Sequence, residues 1–333
     1  MRAVVLVNVG TPDAPDVASV RRYLREFLSD PLVLDMPGAA RWALLNFIIL
    51  PTRPKHSAAA YQKVWTSEGS PLLAISKKQQ AGLQARLPEA KVVLAMRYGK
   101  PSLAEAAQAI ADARCDEVVL VPLYPQYARA STLSAFDAAK QAIPETPMSS
   151  VGPFYADDGF LKAWEAVLRQ TLQRAGPVDH VVFSYHGLPE RQVKACDATG
   201  AHCFVRANCC DAMVEANRDC YRAQCFATSR ALTERLRLPS TSTCFQSRLG
   251  RTPWIQPFTD QHVPALVGQG KKRIVVACPS FVTDCLETLE EIGVRLKESF
   301  LAAGGESVTL APCLNDHPVW LDALAALCSR RSP

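Results

Sequence analysis

The feature that most constrains this fold is an alternation of strand-like and helix-like segments that occurs twice. Each half has four short strand-like segments separated by helix-like segments; the strand-like segments are 3–9, 91–96, 117–122, 148–151, 179–185, 240–246, 273–278 and 306–311. This alternation predicts parallel sheets with helices on both faces. We therefore expect an α/β fold of two similar doubly wound parallel-sheet domains, with a cleft between them.

The repeat also suggests domain limits. We predict a first domain over 1–155, a second over 156–312, and a C-terminal helical segment, 313–333, that packs on the first domain. Helices are predicted at 17–28, 74–87, 103–113, 132–142, 158–175 and 318–327. Polar residues at the strand ends are expected to line the cleft, which is the default ligand site in such a fold.

Composition excludes some functions. The 333 residues are 48% hydrophobic and 21% charged, with a net charge of only +5. Because there is no dense Lys/Arg block, binding to nucleic acid is not expected. The chain begins directly with a strand-like run and shows no signal-peptide pattern, which predicts a cytoplasmic protein with reduced thiols. The sequence does not predict an oligomeric state.

A histidine follows one of the central apolar runs. The run 181–183 leads through Ser184 and Tyr185 to His186, which is followed by Gly187. In open α/β sheets, ligands bind just beyond the carboxyl ends of the strands. A histidine there is a base whose ordinary pKa is near neutral. The alternative is a loop histidine that only hydrogen-bonds its neighbours.

An acidic motif follows a second apolar run, 274–277. Thr283 or Asp284 is expected to cap a helix on which Glu287 and Glu291, four residues apart, share one face. Carboxylates near a histidine suit metal binding and proton transfer. The alternative is a solvated acidic first turn favoured by the helix dipole, and this is our interpretation of Glu290.

The segment 36–50 is unusually apolar for a connection. It is too short and too interrupted for a transmembrane helix. It fits either a core helix or an exposed lip for a planar apolar ligand or a membrane surface. The basic residues Arg53, Lys55 and His56 follow it and fit an interfacial position.

Half of the twelve cysteines lie between Cys196 and Cys225. Clustered cysteines in a cytosolic protein indicate a metal site, and thiolates suit an iron–sulfur cluster or zinc. The scattered cysteines are predicted to be small buried hydrophobes. Cys285, inside the acidic motif, is either a soft ligand or a packed residue, and packing is our interpretation.

Motifs along nearly the whole chain resemble those of bacterial ferrochelatases. They are Asn8-Val9-Gly10-Thr11-Pro12, Gly69-Ser70-Pro71, Arg97-Tyr98, Tyr124-Pro125-Gln126-Tyr127, Ser184-Tyr185-His186-Gly187-Leu188-Pro189, Phe245-Gln246-Ser247-Arg248 with Pro253-Trp254, and 284–291. The resemblance implies a lyase of haem biosynthesis that inserts ferrous iron into a porphyrin and releases two protons.

The same resemblance implies roles for individual residues. His186 is implied as the porphyrin proton acceptor or an iron ligand, Glu287 as the metal-site carboxylate, and Glu291 as the continuation of an acidic path. The implied substrate-binding residues are Arg97, Tyr124, Trp254 and Ser184. The lip 36–50 is implied to cover the porphyrin mouth and to contact a membrane peripherally.

Two departures from the family pattern matter. Val9 stands where the coproporphyrin-using branch carries a tyrosine, which favours protoporphyrin IX over coproporphyrin III. The insertion at about 193–225 resembles that of a [2Fe–2S]-containing bacterial variant, with structural zinc as the alternative. The animal arrangement is absent, since Arg129 stands near its internal cysteine and only Cys328 lies near the end.

A cluster in the insertion needs four ligands. Cys225 ranks last, because cluster-free relatives also have cysteine there. The candidates are Cys196, Cys203, Cys209, Cys210 and Cys220. Two other functions compete with ferrochelatase: a chelatase for another tetrapyrrole, and a haem-binding or iron–sulfur sensor without turnover. The presence of His186 with Glu287 and Glu291 argues against the sensor.

Overall fold

The computed structural model describes residues 1–250 and 252–330, and these form two compact units. Unit 1 comprises Met1–Tyr124, Arg129–Gly152 and the C-terminal residues from 321 onward. Unit 2 comprises Pro125–Ala128 and Pro153–Trp320. Residues 331–333 of the predicted C-terminal segment lie outside the described residues.

Unit 1 is built on a parallel sheet of four strands in the order β2-β1-β3-β4. The strands are β1 (Arg2–Thr11), β2 (Lys91–Gly99), β3 (Glu117–Pro122) and β4 (Met148–Ser150). β1 is central, and its Val4 pairs with Val92 on one side and Val119 on the other. Leu6 and Val7 point to opposite faces, yet both are fully buried, as expected for a sheet covered on both faces.

The helices of unit 1 begin at clear local signals. They are α1 (Val17–Ser29), α2 (Gly38–Leu44), α3 (Leu50–Val64), α4 (Pro71–Arg86), α5 (Leu103–Asp112) and α6 (Ser134–Ala142), with π-helical turns π1 (Leu45–Ile49) and π2 (Arg129–Leu133). The Asp16 carboxylate caps α1 by accepting from two backbone N–H groups. Ser102 and Glu105 form a capping box at α5: the side chain of each residue accepts a hydrogen bond from the backbone N–H of the other.

Unit 2 repeats the sheet of unit 1. Its strands are β5 (His180–His186), β6 (Thr241–Gln246), β7 (Arg273–Ala277) and β8 (Ser307–Leu310), all parallel, in the order β6-β5-β7-β8. β5 is therefore the central strand, as β1 is in unit 1. The predicted α/β class with two similar parallel sheets is confirmed.

The helices of unit 2 include three that were not predicted. They are α7 (Asp158–Ala175), α8 (Glu190–Lys194), α9 (Tyr221–Leu236), α10 (Thr259–Ala265), the π-helix π3 (Glu287–Leu296) and α11 (Lys297–Ala302), with 3₁₀ turns at Glu215–Asn217 and Leu266–Gln269. The sequence pattern did not indicate α8, α9 or α10. Among the helices in the described part of the chain, none has the length and apolarity needed to cross a membrane.

The last helix, α12 (Pro318–Ser329), contacts unit 1 through its C-terminal part. The Arg86 guanidinium donates to the Asp322 carboxylate at 2.6 Å. The Arg2 guanidinium donates to the Cys328 carbonyl at 3.2 Å. Gly82 of α4 leaves room for Leu321, since a Cβ there would lie 2.4 Å from a Leu321 methyl.

The predicted lip, 36–50, forms α2, π1 and the start of α3. It has one packed side and one open side. Leu45 and Ile49 are buried, whereas Trp42, Phe47 and Ile48 are 60%, 69% and 61% exposed. The Trp42 and Phe47 rings meet edge to face, 5.4 Å between centroids. One side of the segment therefore presents apolar side chains to solvent.

Candidate active site

His186 is the last residue of the central strand β5. Its Nδ1 lies 2.6 Å from the Gly187 carbonyl oxygen. A carbonyl oxygen only accepts, so Nδ1 must carry the proton. In the neutral ring, Nε2 then holds the free lone pair and is the nitrogen able to accept a proton or bind a metal.

The backbone of His186 is fixed on both sides. Its N–H donates to the Ser280 hydroxyl at 3.2 Å, and its carbonyl accepts from the Tyr221 hydroxyl at 2.8 Å. Burial raises the pKa of Tyr221 well above its ordinary value, so this hydroxyl remains a donor. The Phe281 ring approaches the imidazole edge-on, 6.4 Å between centroids. These contacts aim the ring.

The acidic motif is not the α-helix that its spacing predicted. Glu287 opens the π-helix π3, in which hydrogen bonds run from residue i to i+5. The segment is therefore helical, as predicted, but it is a π-helix rather than an α-helix. The Asp284 carboxylate lies before π3 and accepts from Thr288, Asn315 and a backbone N–H.

The two carboxylates of this motif have different partners. The Cys285 thiol bonds the Glu287 carboxylate, and burial together with Glu287 raises the pKa of Cys285 well above its ordinary value. Cys285 is thus a neutral, buried side chain, which agrees with packing rather than a thiolate ligand. The Glu291 carboxylate accepts from both the N–H and the hydroxyl of Ser247, whose φ of 65° is left-handed.

The interpretation of Glu290 as a solvated first-turn residue is wrong. Glu290 is 2% exposed and accepts from the Arg295 guanidinium at 2.7 Å. Arg295 supplies the positive charge that compensates the burial of this carboxylate. The sequence pattern did not indicate a π-helix, because charged residues fit either helix type.

Ser184 lies in β5 two residues before His186, and Trp254 contacts Gly187, the residue after it. Ser184 is fully buried. Its hydroxyl donates to the Gln246 amide oxygen at 2.7 Å and forms a hydrogen bond with the Thr259 hydroxyl at 2.8 Å. The structure thus places Ser184 inside unit 2, with no surface for the substrate contact that was predicted. The Trp254 ring packs on Gly187, where a Cβ would lie 3.3 Å from the ring. Its indole N–H donates to a backbone carbonyl.

Arg97 of unit 1 is held by a buried carboxylate that sequence reasoning missed. Its Nη2 donates to Asp30 at 2.7 Å, and its Nε donates to the Ser134 hydroxyl and carbonyl. Tyr98 and Ser134 also donate to Asp30. Burial alone raises the pKa of Asp30, but these hydrogen bonds outweigh it, so the net pKa is below its ordinary value.

Tyr124 belongs to the same unit. It is half-buried and packs against the core between the sheet and helices α5 and α6. Burial raises the pKa of Tyr124, so its hydroxyl is protonated at physiological pH. Asp30 was not predicted as a site residue, because in the sequence it simply follows an amphipathic helix. Its contacts with Arg97 and Tyr98 of β2 and with Ser134 of α6 are visible only in the structure.

The cysteine-rich segment brings several thiols together. Cys203, Cys209, Cys210 and Cys220 are buried. The sulfurs of Cys209 and Cys210 are 3.8 Å apart, and the neighbouring Cys220 thiol together with burial raises the pKa of Cys210. Arg222 donates to the Cys210 sulfur at 3.1 Å.

This arrangement does not amount to a metal site. Over residues 1–250 and 252–330, no three His, Cys, Asp or Glu side chains are placed so as to hold a metal ion. Cys196 lies at the start of the segment, and its sulfur contacts the Gln192 carbonyl at 3.5 Å. The donor type suits a cluster or zinc, but the ligand geometry for either group does not form here.

Comparison with known proteins identifies the family. The family model described as Ferrochelatase matches residues 1–332. The chain belongs to the ferrochelatase family. The ferrochelatase of Azotobacter vinelandii is 45% identical over 98% of both chains, and that of Pseudomonas entomophila is 44% identical over the same shares. The Coxiella burnetii ferrochelatase is 42% identical over 98% of this chain and 93% of its own.

Membership of the ferrochelatase family makes the protein an enzyme that inserts metal into a porphyrin, as the sequence motifs implied. Solved structures agree on the fold. SirB from Bacillus subtilis has a TM-score of 0.53 at 14% identity, covering 98% of this chain and 93% of its own. CbiX, an enzyme of sirohaem biosynthesis, has a TM-score of 0.50 at 13% identity, covering 98% and 96%. At such low identity the likeness concerns the fold alone.

Proposed function

We propose that this ferrochelatase inserts ferrous iron into protoporphyrin IX to give protohaem, the last step of haem synthesis. One observation on the site carries the proposal: in a chain of this family, His186 is fixed with Nδ1 protonated and Nε2 free. Insertion forms four Fe–N bonds and releases two pyrrole protons. A base at the end of β5 suits the acceptance of those protons.

We assign the roles by chemistry. His186 Nε2 accepts a pyrrole proton, and the Glu287 carboxylate holds the incoming iron. A carboxylate is a hard oxygen ligand that binds ferrous iron weakly enough to release it to the macrocycle. The Glu291 carboxylate accepts from Ser247, so we assign it to fixing the loop after β6 rather than to binding the metal. Arg97 and Trp254 remain our candidates for porphyrin contact.

The first test is an anaerobic assay with ferrous iron and protoporphyrin IX, followed by porphyrin absorbance. We expect His186→Ala to lose turnover by at least about a hundredfold, the scale typical of general-base removal. His262→Ala, at a half-buried histidine of α10, is the matched control. Full turnover of His186→Ala would overturn the assignment, and faster turnover with coproporphyrin III would change the substrate.

The role of Glu287 needs a separate test. Glu287→Gln keeps the size of the side chain but loses the charge. We expect its KM for iron to rise by about tenfold or more, with the KM for porphyrin little changed. Glu298→Gln, at an exposed glutamate of α11, is the control. Unchanged iron dependence in Glu287→Gln would refute the role.

We further propose that the lip contacts a membrane surface peripherally. Support comes from the exposed apolar side chains of Trp42, Phe47 and Ile48, a pattern typical of interfacial segments. Replacing all three with Ser is expected to abolish sedimentation with anionic lipid vesicles. Val205→Ser, at a 67% exposed valine, is the control. Equal sedimentation of both variants would contradict the proposal.

A third proposal rests on donor type alone, because the thiols are not arranged as metal ligands in the part of the chain that the structure describes: the cysteine-rich segment binds a [2Fe–2S] cluster, with structural zinc as the second candidate. Support comes from the soft thiol donors that lie close together there. Metal analysis and a visible spectrum of the purified protein distinguish the two. Absorbance that bleaches on reduction indicates the cluster, bound zinc without absorbance indicates zinc, and absence of both metals refutes this proposal.

A further inference from the structure

Gln246 is the last residue of β6, and all of its polar groups lie within the protein. The side chain is 4% exposed. Its Nε2 donates to the carbonyl oxygen of Glu287 at 2.7 Å, and its Oε1 accepts from the Ser184 hydroxyl at 2.7 Å. Its backbone carbonyl accepts from the N–H of Gly187, also at 2.7 Å. Gln246 thus bonds both the residue after His186 and Glu287 itself.

The sheet order explains how one side chain reaches both. β6 and β7 flank the central strand β5, and π3 follows β7. The amide of Gln246 therefore crosses β5 at Ser184 and meets π3 at its first residue. The orientation of this buried amide is fixed. Exchanging its N and O would place the amide oxygen against the Glu287 carbonyl oxygen, and both of these atoms are acceptors.

The corresponding strand of unit 1, β2, also carries a side chain that donates to a backbone carbonyl of the following helical segment. Arg97 lies near the end of β2, which flanks the central β1 as β6 flanks β5. Its Nε donates to the carbonyl of Ser134 at 3.1 Å, and Ser134 is the first residue of α6, after π2 and β3. In each unit, a side chain from the second strand fixes the helical segment that follows the third strand.

We propose that Gln246 is a positioning residue for metal insertion, which sets the separation between His186 and Glu287. The proposal rests on the function assigned above to those two residues. Through Glu287, Gln246 fixes the start of π3 and hence the carboxylate. Through Gly187, it fixes the loop that begins at the histidine. Displacement of either group by about 1 Å is enough to cost up to a hundredfold in rate.

The test uses two substitutions of similar size. Gln246→Met removes both side-chain bonds, and Gln246→Glu keeps the acceptor while replacing the donor with an oxygen that repels the Glu287 carbonyl. For both we expect kcat/KM for iron to fall by between about tenfold and a hundredfold, with the KM for porphyrin little changed. Gln84→Met is the matched control, since Gln84 bonds three backbone groups of unit 1. It should lose stability with unchanged kinetics.

A double variant separates positioning from a purely structural role. If Gln246 acts through Glu287, then Gln246→Met added to Glu287→Gln should cost little more for iron than Glu287→Gln alone. Full additivity of the two losses, or kinetics of Gln246→Met equal to wild type, would overturn the proposal. A harmless Glu287→Gln would instead overturn the proposed function, so the two failures are distinguishable.

Folding is checked by circular dichroism and thermal unfolding. Should Gln246→Met fail to fold, Ser184→Ala provides the test, because it removes only the hydroxyl that holds the Gln246 oxygen. We expect a smaller loss in the same direction, with the KM for iron again raised more than that for porphyrin. Ser184→Ala with wild-type kinetics would also overturn the proposal.

Discussion

Removal of the Asp30 carboxylate tests the interpretation of unit 1 most directly. Asp30 accepts from Arg97, Tyr98, Ser134 and the Leu32 backbone N–H. The Asp30 side chain is only 4% exposed and that of Arg97 only 22%. Asp30→Ala therefore leaves a largely buried guanidinium without its counter-ion, and it removes the carboxylate that accepts from the Tyr98 and Ser134 hydroxyls.

The cost follows from these contacts. Removing one partner of a buried ion pair typically costs about 3–5 kcal/mol, since water does not replace the lost partner. Arg97 keeps its bonds to Ser134, so we expect the lower end, about 3 kcal/mol. For a unit of this size, that is a fall in melting temperature of roughly 6–12 °C.

The assay is urea unfolding of Asp30→Ala, Arg97→Met and the double variant. Removing Arg97 as well eliminates the unpaired charge. The double variant should therefore cost less than the sum of the single variants, by about 2 kcal/mol. A loss below about 1 kcal/mol for Asp30→Ala, or strict additivity, would refute the argument that Arg97 depends on Asp30.

Three further predictions concern unit 2. Gly187→Ala places a Cβ 2.8 Å from the Gln246 carbonyl oxygen; we expect a loss of about 1–3 kcal/mol by urea unfolding and a larger proportional loss of kcat. Tyr221→Phe leaves the His186 carbonyl without its donor and should cost about 1–3 kcal/mol, measured in the same way. Burial lowers the pKa of His180 from 6.5 to about 4, so the unfolded state takes up the proton first as the pH falls. Stability should therefore be full above pH 6.5 and decline towards pH 4, by at most about 3 kcal/mol, and His180→Gln should flatten that decline.

The strands were predictable because their signal is local and strong. The apolar runs of β1, β2, β3, β5 and β7 are typical of buried parallel strands, and the more polar β4, β6 and β8 were predicted from their places in the repeated alternation. The position of His186 followed from the same rule, since a polar residue directly after a central strand lies at the carboxyl edge of the sheet.

The contacts that fix the site were not predictable in this way. Gln246 meets Glu287 across forty-one residues, and Asp30 meets Arg97 across sixty-seven. No spacing rule covers such pairs, because they depend on how strands are ordered in the sheet. The π-helix that begins at Glu287 was also not predictable, since the residues of the motif suit an α-helix equally well.

The two units show how one scaffold carries different chemistry. Near the end of the first strand of each sheet, a glycine approaches a carbonyl of the second strand: a Cβ would lie 1.8 Å from the Tyr98 oxygen at Gly10, and 2.8 Å from the Gln246 oxygen at Gly187. The approach leaves no room for a side chain, so both positions require glycine. Beside these shared glycines, unit 1 carries a fixed cation, Arg97, whereas unit 2 carries the histidine and the carboxylates. The residues suited to handling protons and iron therefore belong to unit 2, while the side chains of unit 1 offer charge and apolar surface.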